Sequence, residues 1–489
     1  MAKEMKQLAK DTVIYGMSSI IGKFLNWLLV PMYTRVLAGT GEYGIVTELY
    51  AWVALLLIIL TYGMETGFFR FINKKEEQHP MRVYGTVLYS LTFTSCLFIT
   101  GMLLFLEPLS SALGYANHPE FIGMMAVIIA VDAFLCMPFA YLRYQGKALR
   151  FMTLKLLNIG MNMFLNIFFL LICPQIHNLH PEWIDWFYQA DYGVGYIFIS
   201  NLLTTFFTLL LLLPDTLPGL RIKPDFRLLK KILAYSYPVL LLGIAGIFNQ
   251  TADKILFRFL FENKDYAAEQ LGIYGACFKI AVVMVMFIQA FRYAYEPFVF
   301  AKHKSDDNRK AYVAAMKYFI MFALFIFLGV MFYMDILKYF VGADYHAGLS
   351  VVPIVMLGEL FFGIYFNLSI WYKLTDRTIW GACFSTIGCI VTVAIILLFV
   401  PRYGFIACAW ASFASNLLMM LLSWAVGQKK YPVKYDLRSA LYFGMLAAGF
   451  YIVGMYLTFD SIVLRLIFRT SLLIFFAGFM VRSIRTTNK

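Results

Sequence analysis

The chain has 489 residues, of which 61% are hydrophobic, 18% aromatic and only 14% charged, an apolar fraction far above that of a soluble globular domain. Lys and Arg together number 41 against 28 Asp and Glu, a net charge of +13. That excess collects in short segments between long apolar runs. This excludes a soluble enzyme and makes nucleic-acid binding the poorer reading of the basic charge, since a membrane surface carrying anionic lipid satisfies it equally.

Fourteen windows are long enough to cross about 30 Å of hydrocarbon at about 1.5 Å per residue. In chain order they fall at 12–36, 43–69, 83–106, 120–142, 151–173, 191–213, 232–260, 271–298, 313–334, 348–372, 378–400, 403–426, 437–458 and 460–482. The expected fold is therefore an all-α polytopic membrane protein. The basic start "MAKEMKQLAK" is followed by an apolar run without a small-residue cleavage site, which reads as an uncleaved first helix. With the N-terminus inside, the inner segments carry 29 Lys and Arg, and the outer loops carry only Arg35, Lys264, Lys338 and Arg402. This is the asymmetry of the positive-inside rule, and it places both termini in the cytoplasm.

Short motifs recur where spans descend from outer loops: "EYGIVTEL" opens the second, "DYGVGYIF" the sixth and "RYGFIACA" the twelfth, and "LGIYGACF" lies in the eighth. Gly44 and Gly272 correspond at an offset of 228 (272 − 44), and Arg143 and Lys147 match Lys373 and Arg377 at 230. Two pseudo-symmetric six-helix lobes follow, an N-lobe at 1–213 and a C-lobe at 231–426. They are joined by a cytoplasmic linker at 214–230 and followed by two further helices and a tail at 427–489. An even number of spans per repeat makes the lobes parallel repeats about an axis along the membrane normal, with the substrate expected in the crevice between them.

The apolar runs are interrupted by ionisable residues, each costing about 2.5–3.5 kcal/mol at the bilayer centre. Lys23 lies eleven residues into the first span, about 16 Å deep, with Asn26 on the same polar stripe. The seventh span carries Lys254 and Arg258, with Asp253 beside them as the natural structural partner of Lys254. Lys279 and Arg292 lie in the eighth. Lys23, Lys279 and Arg292 either line a water-filled cavity or pair internally. Stripes of Asn158, Asn162 and Asn166, of Asn201, Thr205 and Thr208, and of Ser412 and Asn416 read first as bonds between helices. Asp132 and Glu359 occupy the middles of the fourth and tenth spans at an offset of 227, one midplane acid per lobe. Each either binds a coupling ion or makes a structural hydrogen bond. Glu65, near the inner end of the second span, maps by the repeat offset to position 293, next to Arg292, so the two are expected to form an inner gate. No GxxxxGK is present, which excludes an ATP-driven pump within this one chain. The histidines His177 and His180 read as a surface pair rather than a metal site, and no cofactor is expected.

The opening stretch "LAKDTVIYGMSSIIGKFLNWLLVPMYTRVLAGTGEYGIV" resembles the polysaccharide-transporter branch of the multidrug/oligosaccharidyl-lipid/polysaccharide exporter superfamily, and within it the bacterial O-antigen flippases. The resemblance is carried by Lys23, Pro31, the "TRVL" of Thr34 to Leu37 and the "EYG" of Glu42 to Gly44. It implies movement of undecaprenyl-pyrophosphate-linked oligosaccharide from the inner to the outer leaflet of the bacterial inner membrane by alternating access between two six-helix lobes. It also implies a lateral groove for the lipid tail at the last two helices. Membrane lipids, a polysaccharide polymerase and glycosyltransferases are the expected partners. Lys23, Lys279 and Arg292 are then the expected pyrophosphate clamp, Lys254 and Arg258 lie nearer the outer mouth, and Asn26 with the other polar stripes meets sugars. A multidrug or cation exporter of the same superfamily would share the fold but favour an acidic cavity. A membrane-embedded glycan polymerase or ligase would need chemistry on the outer face.

Overall fold

The computed structural model describes residues 16, 20–73, 79–302, 308–375, 377–457 and 459–487, and the side chains of 294, 296–302, 308 and 486–487 are outside that description. Thirteen helices among the described residues are long and apolar enough to span a membrane. The first expected span, 12–36, lies partly outside the described residues; within them it is helical at 20–27 and at Val30–Val36 (α1). The others are α2 (Thr40–Thr61, continued by Met64–Ile72), α3 (Pro80–Leu104), α4 (Pro119–Tyr144), α5 (Ala148–Ile167), α6 (Gly195–Leu220), α7 (Phe226–Ile255) and α8 (Lys264–Lys302). They are followed by α9 (Asn308–Phe332), α10 (Val351–Leu368), α11 (Ile379–Tyr403), α12 (Phe405–Lys430), α13 (Leu437–Tyr456) and α14 (Ile462–Thr487). Pro80 and Pro119 open α3 and α4 at a position where the missing N–H is not needed.

Two breaks in regular geometry shape the path. α2 is interrupted at Tyr62 (φ 33°) and Gly63 (φ 71°), a left-handed pair that a tyrosine rarely adopts. A side chain at Gly63 would meet the Ser236 carbonyl at 2.9 Å, so the bend lets Met64–Ile72 lie directly on α7. α6 runs on through Pro214 and Pro218 to Leu220, and α7 begins at Phe226, so helix occupies part of the 214–230 segment. Each proline removes a backbone donor. Side chains of α3 brace this end instead: the Tyr84 hydroxyl donates to the Asp215 carbonyl at 3.0 Å and the Tyr89 hydroxyl to the Leu220 carbonyl at 2.5 Å. Arg150 pairs with the Asp215 carboxylate at 2.7 Å.

Asp225 caps α7 by accepting from the backbone N–H groups of Arg227 and Leu228 at 2.9 and 3.1 Å, and it pairs with Arg82. Those backbone bonds, with the guanidinium beside them, hold its carboxyl below the ordinary aspartate range. Because the folded value is the lower one, this cap contributes in full above the ordinary aspartate range and is lost only as the pH falls through the depressed value.

The chain forms two compact units, Met1–Gly272 and Ile273–Lys489. In the first, α2, α3, α4 and α7 enclose a core of Met64, Phe68, Tyr84, Leu88, Met137 and Ile232, with Tyr84 stacked on Tyr141 at 4.3 Å. The seventh helix packs within this unit. In the second unit, Tyr365, Trp371, Tyr372, Phe384 and Met419 form a core shared by α10, the turn after it, α11 and α12. Arg469 of α14, only 4% exposed, joins three helices. It donates to the Gly454 carbonyl of α13 at 2.9 Å, to the Phe332 carbonyl of α9 at 3.2 Å and to Asp335 at 2.8 Å. Arg465 reaches the same carboxylate at 3.2 Å. Neither arginine stood out in the sequence, because one or two charges barely lower the mean hydropathy of a long apolar window.

Candidate functional site

The repeat-related glycines meet. A Cβ on Gly44 of α2 would lie 1.9 Å from the Ala268 carbonyl oxygen, and one on Gly272 would lie 1.8 Å from that of Thr40. At this crossing the backbones of α2 and the first turns of α8 touch directly, which only glycine permits. One turn further along α2, Glu48 is 1% exposed and Arg258, in the turn after α7, is 5% exposed. They pair at 3.2 Å. Glu48 also accepts from the Tyr115 hydroxyl at 2.8 Å, and Arg258 donates to the Gly114 carbonyl at 2.9 Å with its guanidinium 4.2 Å above the Tyr115 ring. Among the described residues, Glu48 Oε1 and Arg258 Nε find no hydrogen-bond partner, so this desolvated pair is held by its charges and one strong bond on each side. The arrangement joins α2, the turn before α4 and the turn after α7 at one depth, which suits a latch.

The structure therefore places Arg258 in a buried ion pair. Lys254 sits beside Asp253 at 2.9 Å, both largely buried, the internal pairing its neighbour in sequence suggests. His177 and His180 each engage a carboxylate of their own loop, Asp185 at 2.9 Å and Glu182 at 3.3 Å.

A second polar group lies inside the first unit. Glu65, just past the α2 break, pairs with Arg143 at the end of α4. Lys155 of α5 stands 4.1 Å over the Phe139 ring and interacts electrostatically with Asp132, Arg143 and Glu65. Asp132 accepts from the Thr205 hydroxyl at 3.4 Å. The charge expected at one midplane acid is thus accompanied by a lysine that the sequence counted with the inner loop. The Asn and Thr stripes bond helices together as expected: Asn158 donates to Thr208 at 2.7 Å, Asn201 to Tyr50 at 3.0 Å, and Tyr33 to Asn166 at 2.9 Å.

Of the three expected clamp residues, Lys23 is exposed on its helical segment together with Asn26, Lys279 of α8 is half-buried, and Arg292 is exposed. Glu359 of α10 is half-buried. In the second unit the Arg292 guanidinium lies 4.7 Å from the centre of the Phe366 ring and the Lys373 ammonium 4.5 Å from the same ring. One aromatic face system thus gathers two cations, and Lys373 joins Arg292 as a residue that depth in the sequence did not single out.

Long apolar helices with direct backbone contact at a glycine crossing and buried ion pairs within the first unit make this a polytopic helical membrane protein. The chain belongs to the polysaccharide biosynthesis protein family, whose model matches residues 8–298, more than half of its length. Its fold is similar to that of the lipid II flippase MurJ in an inward closed conformation, with a TM-score of 0.73 at 14% identity over 97% of this chain and 99% of that one. It is also similar to a multidrug resistance MATE family transporter of the MOP superfamily in an inward-facing conformation (TM-score 0.63, 14% identity, 83% and 94% covered). A MATE in complex with MaD3S gives 0.60 at 15% identity over 86% and 95%. No curated protein matches the chain in sequence.

Proposed function

We propose that this protein is a flippase that moves undecaprenyl-pyrophosphate-linked oligosaccharide from the cytoplasmic to the outer leaflet of the bacterial inner membrane, with both termini cytoplasmic, for O-antigen or another surface polysaccharide. The observation that supports this most directly is the pairing of Arg292 with Lys373 on Phe366, in a chain that also carries Lys23 and Lys279 in its helices. A pyrophosphate crossing a low-dielectric layer loses its hydration, and charge-assisted hydrogen bonds to lysine and arginine offset that loss. Asn26 and the polar side chains beside it then meet sugar hydroxyls. No chemical step is required of the chain, which binds and reorients its substrate. A cation exporter would want the opposite charge at these positions.

Alanine at Lys23, Lys279 or Arg292 is expected to lower transport about 10- to 150-fold, the scale of losing one hydrogen bond to a charged group worth about 1.5–3 kcal/mol, with the chain still in the membrane. Lys and Arg exchanges at the same positions retain more activity. Surface glycan in a strain lacking the native gene measures this, and wild-type glycan in all three alanine variants rules the clamp out.

Coupling to a proton or sodium gradient is part of the same reading, with Asp132 and Glu359 as the acids that bind the ion on one side and release it on the other. Lys155, interacting with Asp132, supplies a positive charge that an incoming cation would replace. Flipping by purified protein in liposomes is expected to speed up when either gradient is imposed. A rate indifferent to both removes the acids from the mechanism.

Glu65 and Arg292 are kept as the inner gate, with Arg143 as the partner of Glu65 in the conformation described here. Cysteines at the two positions are expected to crosslink in the presence of an outward-trapping condition and to be protected from crosslinking by substrate. Absence of crosslinking in every transport state removes this gate.

A further inference from the structure

At one end of the second unit two cavities share a wall. The first, of about 280 Å³, is lined by the apolar side chains of Met316 and Ile320 of α9, Ile364 of α10, Met420 and Trp424 of α12, and Leu437 of α13. The second, of about 530 Å³, is lined by Arg309, Lys310, Lys317 and Lys434. Val313, Lys317 and Asp436 border both, so apolar slot and basic vestibule are continuous. Lys317 Nζ stands 3.7 Å from the Asp436 carboxylate. Asp436 caps α13 by accepting from the Ser439 backbone N–H at 3.0 Å and from the Ser439 hydroxyl. Those bonds hold its carboxyl below the ordinary aspartate range, so it stays ionised. Among the described residues that line it, the mouth carries four bases and one acid.

We infer that this is a binding site for one anionic glycerophospholipid, with a segment of an acyl chain in the α9–α10–α12–α13 slot and the phosphate among Arg309, Lys310 and Lys434. Away from Lys317 and Asp436 at its mouth the slot is lined mainly by apolar side chains and favours an acyl chain over a sugar or a free phosphate, and a basic vestibule at its mouth offers nothing to an uncharged chain. Only an amphiphile with an acidic headgroup satisfies both. Leu421 and Leu437, which also line the slot, are 46% and 55% exposed, so a chain can enter sideways from the bilayer. Lys317, already opposite Asp436, orients the mouth rather than neutralising the headgroup. The site shares no residue with the proposed pyrophosphate clamp and stands whether or not the chain flips a lipid-linked glycan. By occupying a cleft that α13 shares with α9, α10 and α12, the lipid would make the seating of α13 depend on membrane composition.

Native mass spectrometry of the full-length protein, delipidated in detergent and titrated with phosphatidylglycerol or with phosphatidylcholine of the same acyl chains, tests this. The wild type is expected to hold one phosphatidylglycerol at least about tenfold more tightly than phosphatidylcholine, as several lysines and arginines close to one phosphate imply. The surface variant Arg309→Ala/Lys310→Ala/Lys434→Ala is expected to bring phosphatidylglycerol down to the phosphatidylcholine level. Ala440→Trp, which fills the slot, is expected to weaken both, and if that variant does not fold the surface variant alone decides. Equal affinity for the two lipids in the wild type overturns the site, as does phosphatidylglycerol binding unchanged in the surface variant. Displacement by equimolar inorganic pyrophosphate would show a headgroup site without a chain, and displacement by a lower concentration of polyprenyl pyrophosphate would assign the cleft to the transported lipid. Either result also overturns the proposal.

Discussion

Valine at Gly44 or Gly272 is expected to slow transport strongly while leaving the protein in the membrane. The added Cβ alone would sit 1.9 or 1.8 Å from a backbone oxygen of the facing helix, and a backbone carbonyl, unlike a flexible side chain, cannot rotate aside. α2 and α8 must separate to accept it, and overpacking of this kind costs about 1–3 kcal/mol. That disfavours the closed crossing by about 5- to 150-fold in population, so an alternating cycle that must pass through it slows by a similar factor. Alanine should have the same effect at the lower end of the range. Gly101→Ala is the control, since nothing lies within 4 Å of a Cβ there. Transport in proteoliposomes and maleimide labelling of Ala268→Cys, which the crossing buries in the wild type, are the measurements. Wild-type transport and unchanged labelling in the Gly44 and Gly272 alanine variants would show that the crossing can open and close without touching.

The two glycines show how far the sequence reaches. Their shared register was visible in "EYGIV" and "LGIYG", because a repeat leaves the same residue at the same place in each half. That the two residues touch was not visible, because repetition states equivalence and not contact. The apolar runs specified the helices themselves through length and hydropathy. Their ends were less legible: the helix that the hydropathy window closes at 213 continues through Pro214 and Pro218 to Leu220, braced by side-chain bonds from Tyr84 and Tyr89. Depth along a span identified Arg258 and Glu65 as ionisable residues within the membrane, but depth is blind to partners distant in sequence. The partner of Arg258 is Glu48 and that of Glu65 is Arg143. Lys155, Arg465 and Arg469 escaped for the opposite reason. Each sits within a strongly apolar window, where one or two charges barely lower the mean hydropathy and so go unmarked.

The buried pair at the crossing carries the second large expectation. Arg258→Met leaves the Glu48 carboxylate desolvated with no opposite charge beside it, held by the Tyr115 hydroxyl, and Glu48→Leu leaves the guanidinium without its carboxylate, held by the Gly114 carbonyl and the Tyr115 ring. Removing one member of such a pair costs about 3–5 kcal/mol, whereas replacing both by apolar side chains of similar volume is close to neutral. Each single variant is therefore expected to lower the thermal midpoint of the purified protein sharply. Glu48→Leu/Arg258→Met is expected to restore most of it, and salt should move the wild-type midpoint little because the pair is shielded from solvent. Additive losses in the double variant would mean that the two residues are not coupled. The same variant separates the two roles open to Arg258. If the charge serves only to join α2 to the turns before α4 and after α7, a stable double variant transports at the wild-type rate and Arg258 leaves the set of substrate contacts. If a well-folded double variant fails to transport while its midpoint is recovered, the guanidinium acts outside the ion pair. Glu48 would then be the partner that holds it until the crossing opens.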